Sequence, residues 1–158
     1  MDLILWRHAE AETADEGRDD LSRALTPKGE RQAMRMASWL DRHLPEGTRV
    51  LVSPSKRTQQ TVSPLGRKFK LRDELVPETL VDDVLALIKW HPETGPHMKG
   101  PVLLVGHQPY LGQIVSRLLG MSEDACSVRK GAVWWLRSRL REGQDQTVIL
   151  SVMTPERL

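Results

Sequence analysis

The chain has 158 residues, a length that suits one domain, residues 1–158, with a real hydrophobic core. Apolar residues make up 39% and charged residues 28%, as in ordinary soluble globular proteins, and a net charge of +2 with no basic stripe argues against a nucleic-acid binder. The lone cysteine, Cys126, excludes an internal disulfide, and no long apolar segment follows Met1-Asp2, so neither a signal peptide nor a membrane span is expected and a cytoplasmic protein is the default.

Residues 2–7 form an apolar run that reads as a buried strand, with Arg7-His8 at its end. Residues 13–24 are polar and aperiodic and read as a loop, in which "EGRDD" (16–20) is expected to be solvated. Thr26-Pro27 reads as an N-cap with proline at the first helical position, and Ala33, Met36, Ala37, Leu40 and Leu44 recur at helical spacing up to Pro45-Glu46-Gly47. Val50-Leu51-Val52 is a second short buried strand, stopped at Ser53-Pro54, and a helix is expected from about Ser55 to Gly66. "KLRDEL" (70–75) suggests a short strand, and a helix is expected from about Thr79. Residues 91–101 are rich in breakers and read as a loop. "PVLLVGH" (101–107) is a third buried strand, followed by a helix over Pro109 to Leu119. Residues 132–138 and 146–152 read as two late strands around a Glu142-Gly143 turn. Strands alternating with helices imply a mostly parallel sheet covered on both faces, with an antiparallel edge from the closing pair.

In such folds ligands bind beyond the carboxyl ends of the strands. Three strand ends carry polar chemistry: Arg7-His8, Ser53-Pro54 with Arg57 one turn on, and Gly106-His107-Gln108. If those strands are parallel neighbours, two guanidiniums and two imidazoles converge. Arginine forks suit phosphate oxygens, and helix N-termini near Pro54 and Pro109 would add backbone N–H groups. A neutral imidazole is a competent nucleophile, and neighbouring cations keep it neutral. The set reads as phosphoryl transfer through a phosphohistidine, by positioning and charge stabilisation. Glu10 and Glu12 lie beside His8 and would repel a phosphate unless turned away. His43, His91 and His97 read as surface residues, without a metal-ligand pattern.

In order, "LWRHAEAE", "RALTPKGERQA", "LVSPSKRTQQT" and "LLVGHQP" resemble the histidine phosphatase superfamily, in its short SixA-type phosphohistidine phosphatase branch. The resemblance implies a phosphoglycerate mutase-like fold, a three-layer α/β/α sandwich with a mostly parallel mixed sheet, with no cofactor and no metal. By position it makes His8 the nucleophile and Arg7 its phosphate-binding neighbour. Arg57 becomes the second pocket arginine, His107 the histidine that donates to the transferring phosphoryl group, and Arg23 a basic residue near the rim. Two places depart from the pattern: Ala9 stands where the family usually has glycine, and Gln108 where the acid-phosphatase branch has aspartate. An alanine implies ordinary backbone angles there and adds a methyl group.

The mutase-like branch supplies a glutamate to protonate the leaving group. Glu78, after the Pro77 turn, is the candidate here, its alternative role being a carboxylate at a helix start. A phosphohistidine P–N bond breaks more readily than a P–O ester, so a weak acid suits that substrate. Few residues separate the Arg57 and His107 segments, which leaves no room for a large lid. The expected function is therefore phosphohistidine protein phosphatase. The alternatives are a phosphatase or mutase for a small phosphate ester, and a non-catalytic module binding phosphorylated partners. No nucleic-acid or membrane partner is expected.

Overall fold

The computed structural model describes residues 1–158, the side chain of Leu140 excepted. In chain order its elements are β1 (Asp2–Arg7), α1 (Pro27–His43), β2 (Arg49–Val52), α2 (Lys56–Val62), β3 (Lys70–Leu71), α3 (Val81–Leu87), β4 (Trp90–His91), β5 (Gly95–Pro96), β6 (Val102–Gly106), α4 (Tyr110–Leu118), β7 (Val133–Arg141) and β8 (Gln144–Met153). Six strands form one sheet in the order β3-β2-β6-β1-β7-β8. The first four run parallel; β7 lies antiparallel to β1, and β8 antiparallel to β7.

Strand alternation sorts the core into two layers. Leu3, Leu5, Leu51, Val102 and Leu104 face α3 and α4, packing on Val84, Leu85, Ile88, Leu111 and Ile114. Ile4, Trp6, Val50, Val52, Leu103 and Val105 face the other way, onto Met36, Ala37 and Leu40 of α1 and Val62 at the end of α2. The result is the three-layer α/β/α sandwich with a mixed sheet. Helix α1 starts as its sequence requires: Thr26 Oγ1 accepts from Gly29 N at 3.0 Å, and Pro27 needs no acceptor. The adjacent Trp134 and Trp135 divide between faces: Trp135 is buried and donates to Asp2 at 3.0 Å, while the partly buried Trp134 packs against the α3–α4 layer. Among the described residues no helix is long and apolar enough to cross a membrane.

Several boundaries differ from the sequence reading. Helix α2 stops at Val62, and a 3-10 turn, Ser63–Leu65, completes the segment, because Pro64 has no N–H to continue the α ladder; Gly66 then closes it at φ 69°. The 70–75 strand is only Lys70–Leu71, since Asp73–Leu75 turns into a 3-10 helix that buries Leu75. The 91–101 loop contains the β4–β5 pair, reversed through Gly95 at φ 80°. "EGRDD" is not all solvated loop: Asp20–Ser22 is a 3-10 turn capped by Asp19, whose side chain accepts from Leu21 N.

Gly106, the last residue of β6, sits where a Cβ would run into the Tyr110 hydroxyl. That buried hydroxyl donates to Leu75 O at 2.7 Å, so it has nowhere better to go. Gly106→Ala is expected to cost about 1–3 kcal/mol, the usual range for overpacking a tight core. A urea titration with no loss of stability would show that Tyr110 yields freely.

Candidate active site

The sheet order puts β2, β6 and β1 side by side, so their carboxyl ends bring Ser53, His107 and His8 to one edge. His8 N donates to Gly106 O at 3.1 Å, and the Arg7 and His8 carbonyls both accept from Gly131 N. The tip of β1 is thereby fixed between β6 and the approach to β7. Helix α2 is tied to the same tip: Ala9 N donates to Thr61 Oγ1 at 3.0 Å, and Thr61 Oγ1 donates to Arg57 O at 2.7 Å. Arg57 and Thr61, four residues apart, share one helix face.

His8 and His107 are buried, with ring centroids 5.4 Å apart. The Ala9 carbonyl lies 2.7 Å from His8 Nδ1 and can only accept, so Nδ1 carries the proton and Nε2 keeps its lone pair. At His107, Nη2 of Arg57 donates to Nδ1 at 3.4 Å, so the ring proton sits on Nε2, 2.8 Å from Ser53 Oγ. Burial above all, helped by Arg57 and Arg7 and opposed by the Ala9 carbonyl, lowers His8 from 6.5 to about 3. Burial, then Arg57 and His8, lowers His107 to about 2. Both rings are neutral at physiological pH.

The arginines are held at one end and open at the other. Arg7 Nη1 donates to Val128 O at 2.9 Å. Arg57, 2% exposed, donates from Nη1 to Asp20 O at 2.8 Å and from Nη2 to Asp20 Oδ2 at 3.0 Å. The Nε–H groups of both are buried and have no acceptor among the described residues. A buried donor left unmade is costly, and here two are left beside a neutral histidine. Burial followed by mutual repulsion lowers Arg7, and burial lowers Arg57 against the pull of Asp20. Arg7 is anchored by a carbonyl and Arg57 shares the Asp20 carboxylate with Arg23, so positive charge is in excess and suits an incoming anion with several acceptor oxygens.

The remaining sequence candidates fall around this centre. Arg23 reaches it through Asp20, donating to Oδ1 from Nε at 3.0 Å, and its Nη1 donates to Glu12 O at 2.7 Å. Glu78 is exposed in the turn after Pro77 and lines a cavity of about 300 Å3 together with Asp20, Leu21 and Val76. The acids in the first turn of α3 are Asp82 and Asp83, so Glu78 does not cap that helix. Glu10 and Glu12 are turned away: Glu10 Oε2 accepts from Thr26 Oγ1 at 2.7 Å, and Glu12 pairs with Arg18 at 2.6 Å. Ala9 has ordinary backbone angles and is fully buried with Ala11, Leu25 and Ala33, so its methyl packs away from the pocket. The helix N-termini are less open than the sequence suggests. Ser55 Oγ takes Thr58 N, His107 O takes Leu111 N, and Gln108 Oε1 takes Gly112 N. Sequence reasoning missed the roles of Asp20, Ser53 and Thr61; Ser53 shows only as a polar strand end, and Thr61 only in its i, i+4 spacing from Arg57.

Comparison with known proteins places the chain in a family. A sequence model of the Histidine phosphatase superfamily (branch 1) matches residues 3–79. The chain is 31% identical over 133 residues to a phosphohistidine phosphatase SixA homolog of Haemophilus influenzae, covering 76% of this chain and 78% of that protein. It is 32% identical over 121 residues to phosphohistidine phosphatase SixA of Escherichia coli, covering 75% and 74%. The solved structure of the protein histidine phosphatase SixA complexed with tungstate superposes with a TM-score of 0.77 at 27% identity, over 99% of each chain. The chain belongs to the histidine phosphatase superfamily, in its SixA-type branch.

Proposed function

We propose that the chain is a phosphohistidine phosphatase that works through a phosphohistidine intermediate on His8, with residues 1–158 acting as one catalytic domain. The observation that carries this reading is the pair of buried, unpartnered arginine Nε–H groups flanking a histidine whose Nε2 lone pair is free. The relatives named for phosphohistidine, and a similar protein solved in complex with tungstate, an oxyanion, support a phosphoryl-group substrate.

In the first step His8 Nε2 attacks phosphorus in line, a new P–N bond forms, and the substrate P–N bond breaks with its electron pair going to the departing imidazole nitrogen. Arg7 and Arg57 hold the equatorial oxygens, and His107 joins them when the phosphoryl group displaces Arg57 from its Nδ1: the ring proton then sits on Nδ1 and the Ser53 hydroxyl donates to Nε2. His8 keeps its Nδ1 proton throughout, so the phosphorylated ring is cationic and the Ala9 carbonyl stabilises it. Water then attacks phosphorus, the P–N bond to His8 breaks, and inorganic phosphate leaves with the histidine restored. A substrate imidazole protonated on its second nitrogen departs neutral and needs no proton from the enzyme. This is why an exposed Glu78 is no obstacle.

The natural substrate in this reading is a phosphohistidine displayed on another protein, in the cytoplasm. The test is a panel comparing a phosphohistidine protein with sugar, nucleotide and aryl phosphates; preference for an ester would replace this reading with the small-ester one. Glu78→Gln sharpens it. Turnover of phosphohistidine is expected to stay within about threefold of wild type, because general acid catalysis contributes its usual ~10²-fold or more only where the leaving group needs a proton. A large loss on both substrate classes would assign Glu78 the acid role that the mutase-like branch uses.

A further inference from the structure

We infer that Asp20 is the positioning residue that aims Arg57 at the phosphoryl group, and that Arg23 acts on the reaction only through Asp20. The inference rests on the phosphoryl-transfer reading above and adds a residue to it.

A guanidinium presents two forks: an end fork of Nη1 and Nη2, and a side fork of Nε and the nearer hydrogen of Nη2. Asp20 occupies the end fork of Arg57 twice over, with its backbone carbonyl on Nη1 and its Oδ2 on Nη2. What remains is the side fork. Its Nε–H has no acceptor among the described residues, and its Nη2 makes only a long contact to His107 Nδ1 at 3.4 Å, so this fork, free at Nε, faces the second histidine of the pocket. One carboxylate thus determines which pair of Arg57 donors meets the phosphoryl oxygens.

The carboxylate is itself held. Arg23 engages Oδ1 with Nε at 3.0 Å and Nη2 at 2.9 Å, and is tied to the Glu12 carbonyl. The 3-10 turn that carries Asp20 is closed by Asp19, which accepts from Leu21 N at 3.3 Å, and by Ser22 Oγ, which donates to Asp19 O at 2.7 Å. Burial raises the Asp20 carboxyl, but hydrogen bonds from Arg23 and Arg57 outweigh it and keep the group ionised, an acceptor and not a proton donor. The Asp20 side chain is half exposed, so the pair adds little to stability, and geometry is what it supplies.

The experiment compares Asp20→Asn, Asp19→Asn, Arg23→Gln, Arg57→Gln and the Asp20→Asn/Arg57→Gln double variant. Each is measured for turnover of a chemically phosphorylated histidine protein, and for inhibition by orthovanadate and by inorganic phosphate. Asp20→Asn is expected to lower kcat about tenfold with KM within threefold, because misaiming a phosphate donor costs most where the transition state is held. Orthovanadate should weaken by a similar factor and inorganic phosphate by less than threefold. Arg23→Gln should move the same readouts two- to fivefold. Asp19→Asn, which keeps the cap and removes a neighbouring charge, should stay within twofold. In the Arg57→Gln background, Asp20→Asn should add less than twofold. The inference is overturned if Asp20→Asn keeps kcat and orthovanadate inhibition within twofold of wild type, or if it costs the same factor with and without Arg57. A wild-type chain that hydrolyses nothing would sink the phosphatase reading instead, and the coupling of Asp20 to Arg57 would still be decided by the orthovanadate arm.

Discussion

His8→Ala is expected to lower turnover by at least ~10⁴-fold and to abolish any acid-labile, alkali-stable phosphoenzyme, while leaving orthovanadate binding within about tenfold of wild type. The two halves of this expectation come from different groups. The nucleophilic lone pair belongs to His8 Nε2 alone, freed because Nδ1 is committed to the Ala9 carbonyl. No second nucleophile stands in its place, for the His107 ring is committed to Ser53 and Arg57 through both nitrogens. Anion binding instead belongs to Arg7 and Arg57, whose anchors on Val128 and Asp20 do not involve His8. The fold should survive, because the backbone bonds at this tip, His8 N to Gly106 O and Ala9 N to Thr61 Oγ1, need no imidazole. Rapid quench into alkaline detergent with a radiolabelled phosphohistidine protein, the two chains then being separated by size, measures the intermediate, and a titration with orthovanadate measures the pocket. Turnover within tenfold of wild type, or a labelled phosphoenzyme in the variant, would move the chemistry to another residue.

Much of this centre was legible in the sequence because it lies at the ends of strands. β1, β2 and β6 are short, almost wholly apolar runs, and each stops at a polar residue with no packing reason to be there. Two arginines and two histidines at three such ends are a pattern that needs no knowledge of side-chain direction. What was not legible depends on direction or on distance in the chain. Glu10, Glu12 and Asp20 are equivalent as letters. Yet Glu10 turns to Thr26, Glu12 to Arg18, and Asp20 to an arginine 37 residues away. That last contact forms only when the 3-10 turn folds over α2. Ser53 looked like a strand stop, and its bond to His107 Nε2 spans 54 residues. The β4–β5 pair escaped for a local reason, since two-residue strands carry no period.

Stability is expected to fall steeply as the pH drops below about 6.5, and the cause is again the two buried rings. An unfolded histidine takes up a proton near its ordinary value of 6.5, whereas folded His8 and His107 resist until about 3 and about 2. Between these limits the unfolded chain binds protons that the folded chain refuses, so stability is fully present above 6.5 and is lost progressively as the pH falls. Each ring contributes a slope of ~1.4 kcal/mol per pH unit, so the pair gives roughly 2.7. Two pH units then remove about 5 kcal/mol, a large part of what a domain of this size possesses, and acid unfolding is expected near pH 4–5. The carboxylates held down by partners do not compete in this window. Asp2, lowered chiefly by its hydrogen bond to Arg137 in spite of burial, and Asp20 give up stability only below 3.8. Urea titrations at pH 7.5, 6.5, 5.5 and 4.5 measure the slope. His107→Gln should halve it, and so should His8→Gln. A stability flat from 6.5 to 4.5, or a slope unchanged by both substitutions, would contradict the neutral, desolvated pair. The same linkage separates folding from chemistry on the acid side of the rate profile. Because His8 keeps its lone pair well below pH 5, activity lost there should track unfolding, and saturating phosphate, whose charge favours the protonated rings, should flatten the stability slope.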